Sequence, residues 1–218
     1  MKGRAAAGLP ALRGRLIVFE GIDGCGKTTQ LRRCEEWLSR PAPGRAPRPV
    51  RALREPGSTP CGEAVRALLL SGGPVGARAE MLLYMAARAE LYERVILPAL
   101  DGDEIVLLDR SQYSTAAYQG AGLGLDIGAI LALARDVTAG RLPERVLLFD
   151  LPVETARARF AGRMADAIER RDAAYFERVA EGYRALARAE PQRFTVLDAR
   201  PDPDTVFRGV QSALADVL

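Results

Sequence analysis

The residues Gly21-Ile22-Asp23-Gly24-Cys25-Gly26-Lys27-Thr28 fit the pattern G-x-x-x-x-G-K-[ST]. Glycines at these spacings remove side chains, so that backbone N–H groups can close on phosphate oxygens, and a helix beginning there adds the positive end of its dipole. Lys27 would bridge the β- and γ-phosphates of ATP, and the Thr28 hydroxyl would ligate Mg²⁺. The cradle as a whole comprises Gly21, Gly24, Cys25, Gly26, Lys27, Thr28 and Thr29. A glycine-rich turn can match such a pattern by chance. Here an apolar strand pattern, Leu16–Phe19, precedes the motif and a helical pattern follows it, which is the context the chemistry requires.

A phosphate cradle does not name a reaction, because motors, GTPases and kinases share it. What is missing narrows the field. The chain has no Asn, so it has no Asn-Lys-x-Asp guanine motif, and it has no His, which excludes His-based triads and His proton shuttles. The apolar run ending at Asp109 is followed by Arg110 rather than by a Glu that would activate water. Leu70-Ser71-Gly72-Gly73 reads as a helix end with a glycine cap.

Two further motifs fall at strand ends, where open α/β sheets bind ligands. Arg54-Glu55-Pro56-Gly57 ends one strand pattern and Asp109-Arg110 another, bringing two Arg and two carboxylates to the rim that carries the cradle. On a helical pattern over 78–100, Met81, Tyr84, Met85 and Arg88 recur at the spacing of one face. Tyr84 and Arg88 lie one turn apart. They could hold a nucleobase by stacking and hydrogen bonding. The competing reading is a core tyrosine with an arginine snorkelling to the surface.

These residues need a scaffold to bring them together. Strand patterns at Leu16–Phe19, Val50–Arg54, Ile105–Asp109, Arg145–Asp150 and Phe194–Asp198 alternate with helical patterns at 26–40, 61–71, 78–100, 126–139, 152–164, 172–190 and from 203 to the end. This alternation predicts an α/β fold with five parallel strands flanked by helices in three layers. Pro41–Pro49 is too rich in proline to be a helix or central strand and reads as a loop. At 218 residues the chain suits one domain, 15–218, with a short lid at about 159–172, preceded by a flexible extension over 1–14. Three Cys in no zinc pattern point to free thiols in a reducing, cytoplasmic setting. A net charge of +3 does not suit a dedicated nucleic-acid binder, and no apolar run approaches membrane-span length.

From Leu16 to about Ala199 the chain resembles the thymidylate kinases, P-loop nucleoside-monophosphate kinases. The resemblance is carried by Phe19–Gln30, Arg54–Thr59, Leu82–Arg88 and Asp109–Gln119. It implies transfer of the ATP γ-phosphate to dTMP for dTTP synthesis. Arg54 and Arg110 would hold the acceptor phosphate, Asp23 would lie near the sugar 3′-hydroxyl, and Asp109 would support Mg²⁺. Tyr84 would stack on thymine, Arg88 would donate to a thymine carbonyl, Thr115 and Gln119 would face the base, and Tyr118 would crowd the sugar 2′ position. A homodimer, built through the 78–100 helix and its neighbours, is also implied. The chain departs from the family in its lid, where Ala167 stands at the position of an expected catalytic Arg; Arg163 foremost, or Arg170 or Arg171, would take over. Kinases of another nucleotide or deoxynucleoside, and a non-catalytic nucleotide-binding regulator, are the alternatives.

Overall fold

The structure is a computed structural model, and it describes residues 14–40, 48–71, 73, 75–159 and 168–218. Five parallel strands form one sheet: β1 (Arg15–Glu20), β2 (Val50–Arg54), β3 (Ile105–Asp109), β4 (Arg145–Asp150) and β5 (Phe194–Asp198), in the order β2-β3-β1-β4-β5. The central strands are apolar on both faces because helices cover both: Leu16 to Phe19 and Val106 to Leu108 have no exposed surface. The edge strands β2 and β5 are only partly buried, since each has a neighbour on one side alone.

The register brings the predicted chemistry to one rim. Phe19 of β1 lies opposite Asp109 of β3, and Arg54 of β2 lies opposite the same Asp109. The strands therefore end together, and the turns that follow β1, β2 and β3 share the carboxyl edge of the sheet.

Helices α1 (Lys27–Ser39), α2 (Pro60–Leu70), α3 (Ala77–Leu91) and α4 (Leu97–Asp101) follow the expected pattern with one change. The segment read as a single helix over 78–100 is interrupted by a π-helical turn at Tyr92–Ile96, between α3 and α4. Pro98 has no N–H to donate and its ring would clash with the carbonyl four residues back, so the wider turn absorbs the mismatch. A second departure lies after β3. The sequence patterns assign no helix to 111–122, yet α5 (Gln112–Thr115) runs into a π-helical stretch, Ala116–Gly122. Five of its seven residues are Ala or Gly, and it packs closely on α8 (Ala173–Ala189): a Cβ on Gly182 would lie 2.6 Å from that of Ala121. Helices α6 (Ile127–Val137), α7 (Val153–Ala158) and α9 (Pro203–Leu214) complete the chain. Thr59, Asp126, Asp172 and Asp202 cap α2, α6, α8 and α9 by accepting backbone N–H bonds. The expected extension over 1–14, Gly14 excepted, lies outside the described residues, as do Arg163 and Ala167 of the expected lid.

Candidate active site

Unlike those four helices, α1 has no side-chain cap at its N-terminus. Gly26 occupies the cap position with a left-handed backbone (φ 89°), a conformation glycine adopts without strain, and the first-turn N–H groups are left for a ligand. Gly21 is constrained as well: its φ is 140° and a Cβ would stand 2.7 Å from the Phe149 carbonyl oxygen. The cradle thus wraps against β4. Cys25 fills the space beneath it; burial pushes its thiol up, so it stays protonated and serves as packing.

Lys27 is buried, with Nζ 3.7 Å from Asp23 Oδ1. Thr28 donates its hydroxyl to Asp109 Oδ2 at 2.8 Å, while Asp109 Oδ1 is buried and makes no hydrogen bond. A hydroxyl, a carboxylate and an orphaned carboxylate oxygen beside a phosphate cradle are a donor set that fits Mg²⁺, which binds through one or two protein oxygens and fills its shell with water and phosphate. A cavity opens from the cradle toward Arg159, Ala199, Pro201, Pro203 and Val206. Arg159, at the end of α7, donates to the carbonyl oxygens of Gly24 and Ala199.

A second cavity meets the first at Asp23, which lines both. Its walls carry Tyr84, Arg88, Arg110, Thr115, Tyr118 and Gln119, all of them expected from the sequence. Arg110 donates to Asp23 Oδ1, and the Tyr118 hydroxyl donates to Asp23 Oδ2 at 2.9 Å. Burial alone would raise the Asp23 pKa. The Arg110 guanidinium and Lys27 ammonium outweigh it and hold the carboxyl well below the usual range. Arg110 itself has a left-handed backbone (φ 72°), held by its N–H bond to the Phe19 carbonyl and by side-chain bonds to Asp23 and Ser114.

Glu20 anchors this arrangement from below. It has no exposed surface and accepts bonds from the backbone N–H and hydroxyl of Ser111, the same two groups of Ser114, and the Tyr183 hydroxyl. Ser114 also accepts from Arg110, so the buried carboxylate fixes the loop that aims the guanidinium.

Arg88 does not snorkel. Only 1% of its side chain is exposed, and it is turned inward onto Glu55. The Arg54 side chain is half exposed, pairs with Glu63 on the first turn of α2 and is not among the residues lining the second cavity. Arg170 is exposed, and Arg171 pairs with Glu80 on α3.

Several wall residues were not singled out in the sequence. Glu55 stood inside a recognised motif without a role. Arg66, Ser111, Ser114 and Ile168 line the second cavity, and Arg159 with the Ala199–Val206 segment lines the first. Ser111 and Ser114 lie in the turn that carries Arg110 and could have been read from it, whereas Arg66, Ile168, Arg159 and the Ala199–Val206 segment reach the site only through contacts between distant segments.

The thymidylate kinase family model matches residues 19–210. A thymidylate kinase from Synechococcus sp. (strain WH7803) is 46% identical over 208 residues, covering 93% of this chain and 96% of that protein. One from Pelotomaculum thermopropionicum is 43% identical, with 95% of each chain covered. The crystal structure of the thymidylate kinase from Ehrlichia chaffeensis superposes with a TM-score of 0.75 at 32% identity, covering 93% of this chain and 98% of that one.

Proposed function

The chain belongs to the thymidylate kinase family, and on that premise we propose how its residues divide the work of moving the ATP γ-phosphoryl group to dTMP. The product dTDP feeds dTTP synthesis. The observation that carries the division is that Asp23 lines both cavities, so a donor in one and an acceptor in the other meet beside a single carboxylate.

The acceptor needs no base. A phosphate monoester has a second pKa near 6, so at neutral pH its attacking oxygen is already ionised. Two anions must still be brought together in line, and catalysis is positioning plus charge stabilisation. Lys27 and the uncapped first turn of α1, with Gly21 to Thr29 around them, hold the donor phosphates. Arg110 faces the acceptor phosphate, oriented by Asp23, Ser114 and, through Ser114, Glu20. Arg54 joins it by exchanging Glu63 for the phosphate. Thr28 and Asp109 hold Mg²⁺, which when bound neutralises charge developing on the phosphoryl oxygens. Arg159 and the Ala199–Val206 segment receive the nucleoside end of ATP.

On the acceptor side, Tyr84 offers a ring to stack on thymine and Arg88 a free donor for its carbonyl. Thr115 and Gln119 complete the base end of the cavity, and the Tyr118 ring, fixed by its bond to Asp23, crowds the 2′ position. Arg163 supplies the lid cation in place of Ala167.

The protein works as a homodimer through α3, whose outward stripe Ala79, Leu82 and Ala86 is exposed, Leu82 by 51%. It works in the cytoplasm, a setting that suits Cys25, Cys34 and Cys61, none of which is in a disulfide. Among the described residues no helix is long and apolar enough to cross a membrane.

The test is transfer of label from γ-labelled ATP to a panel of acceptors. Strong labelling of dTMP with weak labelling of dCMP, AMP and thymidine is expected. Labelling of any of these with none of dTMP would overturn the assignment.

A further inference from the structure

Glu80, on the first turn of α3, is 4% exposed and does not line either cavity. Its two oxygens are divided. Oε1 accepts from Gln119 Nε2 at 2.7 Å, and Oε2 accepts from Arg171 Nη2 at 2.7 Å. Arg171 is held in turn by a bond to the Tyr175 hydroxyl and lies over that ring, 4.7 Å from its centroid. The arrangement joins three distant pieces of chain: α3, the π-helical stretch after α5, and the start of α8.

The chemistry of the pair leaves Gln119 no choice. A carboxylate engaged by a guanidinium only accepts, so the Gln119 amide must present its NH₂ to Glu80. Gln119 is itself 98% buried and lines the acceptor cavity, so its carbonyl oxygen is the end left to face a ligand. A carbonyl oxygen that opens into a cavity with no protein partner rejects a base that presents an acceptor to it and rewards one that presents an N–H. Thymine has a hydrogen on N3 and a carbonyl at position 4; cytosine has an acceptor at N3 and an amino group at position 4.

We propose that Glu80 is a positioning residue for base choice: it locks the Gln119 amide with its oxygen toward the acceptor base, and Arg171 locks Glu80. The proposal rests on the reading that Gln119 faces the base. It adds that the direction of the amide, and hence thymine over cytosine, is set by a carboxylate that never touches substrate.

Glu80→Gln separates orientation from packing because it keeps the side-chain shape. Arg171 then claims the one remaining oxygen at position 80, the new NH₂ points at Gln119, and Gln119 turns over to accept from it. Its own NH₂ now faces the base. The ratio of kcat/KM for dTMP to that for dCMP is expected to fall about tenfold or more, with KM for ATP unchanged. In the double variant Glu80→Gln with Arg171→Leu, the oxygen at position 80 is free to return to Gln119, and most of the selectivity is expected to come back. Melting temperatures of both variants show whether each is folded.

If Glu80→Gln leaves the ratio within twofold while Gln119→Leu lowers it, Gln119 reads the base but Glu80 does not orient it, and the proposal falls alone. If neither variant moves the ratio, the base-facing role of Gln119 falls and takes the proposal with it. If the double variant loses as much selectivity as the single one, Glu80 acts by packing and the orientation mechanism is wrong.

Discussion

Arg88 and Glu55 form an ion pair closed off from solvent, with Nη2 2.7 Å from Oε2 and the two side chains 1% and 4% exposed. The pair directs a fork of donors. Nε also bonds Glu55, Nη2 reaches Thr115 Oγ1 at 3.1 Å, and Nη1 faces only the weakly accepting sulfur of Met85. One donor edge is therefore left for a base carbonyl.

Removing Arg88 should act on the acceptor and on stability together. For Arg88→Leu, dTMP affinity is expected to fall roughly 30- to 100-fold, the worth of a charge-assisted hydrogen bond, while ATP affinity stays within about threefold. Calorimetric titration of each ligand measures this, and equal losses for both would argue against a base contact.

The same variant carries a pH signature. Burial already pushes the Glu55 carboxyl up, against the pull of Arg88, and without Arg88 it rises further. A carboxyl whose folded pKa lies above its unfolded value favours folding at low pH, and that advantage is lost as pH rises from the unfolded value toward the folded one. The melting deficit of Arg88→Leu against the parent should therefore be smaller at pH 5 than at pH 8.

Lys27→Ala is expected to lower turnover by about a thousandfold or more, because charge on the donor phosphates loses its nearest cation. The fold should survive, since Asp23 keeps Arg110 as its partner. Near-normal turnover in a correctly folded variant would remove Lys27 from the mechanism.

Asp23 should not govern the acid limb of the rate profile. Its carboxyl is held low by Arg110 and Lys27, so it stays ionised at any working pH, and the stability it contributes is lost only as pH falls through that low value. The fall in kcat/KM for dTMP should instead follow the acceptor phosphate, near pH 6. An acceptor analogue with a more acidic phosphate should shift the limb downward by the same amount.

Arg159→Ala is expected to raise KM for ATP about tenfold and to leave dTMP affinity within twofold, because the guanidinium lines the donor cavity alone. In the lid, Arg163→Ala should lower kcat about tenfold and Ala167→Arg should raise it. Unchanged kcat in both would transfer the lid's charge role to Arg159.

How far the site could be read from sequence depends on how local each contact is. Arg110 follows immediately after β3, and Lys27 and Thr28 follow one glycine-rich turn after β1, so a nearby strand end fixes where each goes. Arg88 was legible as an arginine on an apolar face, but its partner lies 33 residues away, so ring-and-fork and snorkelling readings could not be separated until Glu55 was placed beneath it. Arg54 was read correctly as the end of β2. Its present partner Glu63 depends on how α2 folds back over the turn.

The helix breaks follow the same division. A periodic stripe reports that residues share a face, but the π-helical turn at Tyr92–Ile96 reflects Pro98 meeting the preceding turn in three dimensions. The stretch after β3, rich in alanine and glycine, has no apolar period of its own, and α8 holds it in place.

By itself, the sequence determined the cradle, the order of strands and helices, and the rim that carries the charged residues, because these depend on spacing along one chain. Tertiary structure alone decided that Asp23 is shared by two cavities, that Glu20 and Glu80 work from behind the walls, that Glu55 in the wall pairs with Arg88, and that Arg54 faces Glu63. Buried charges are stable only with partners, and those partners come from segments whose separation in sequence says nothing about their distance in space.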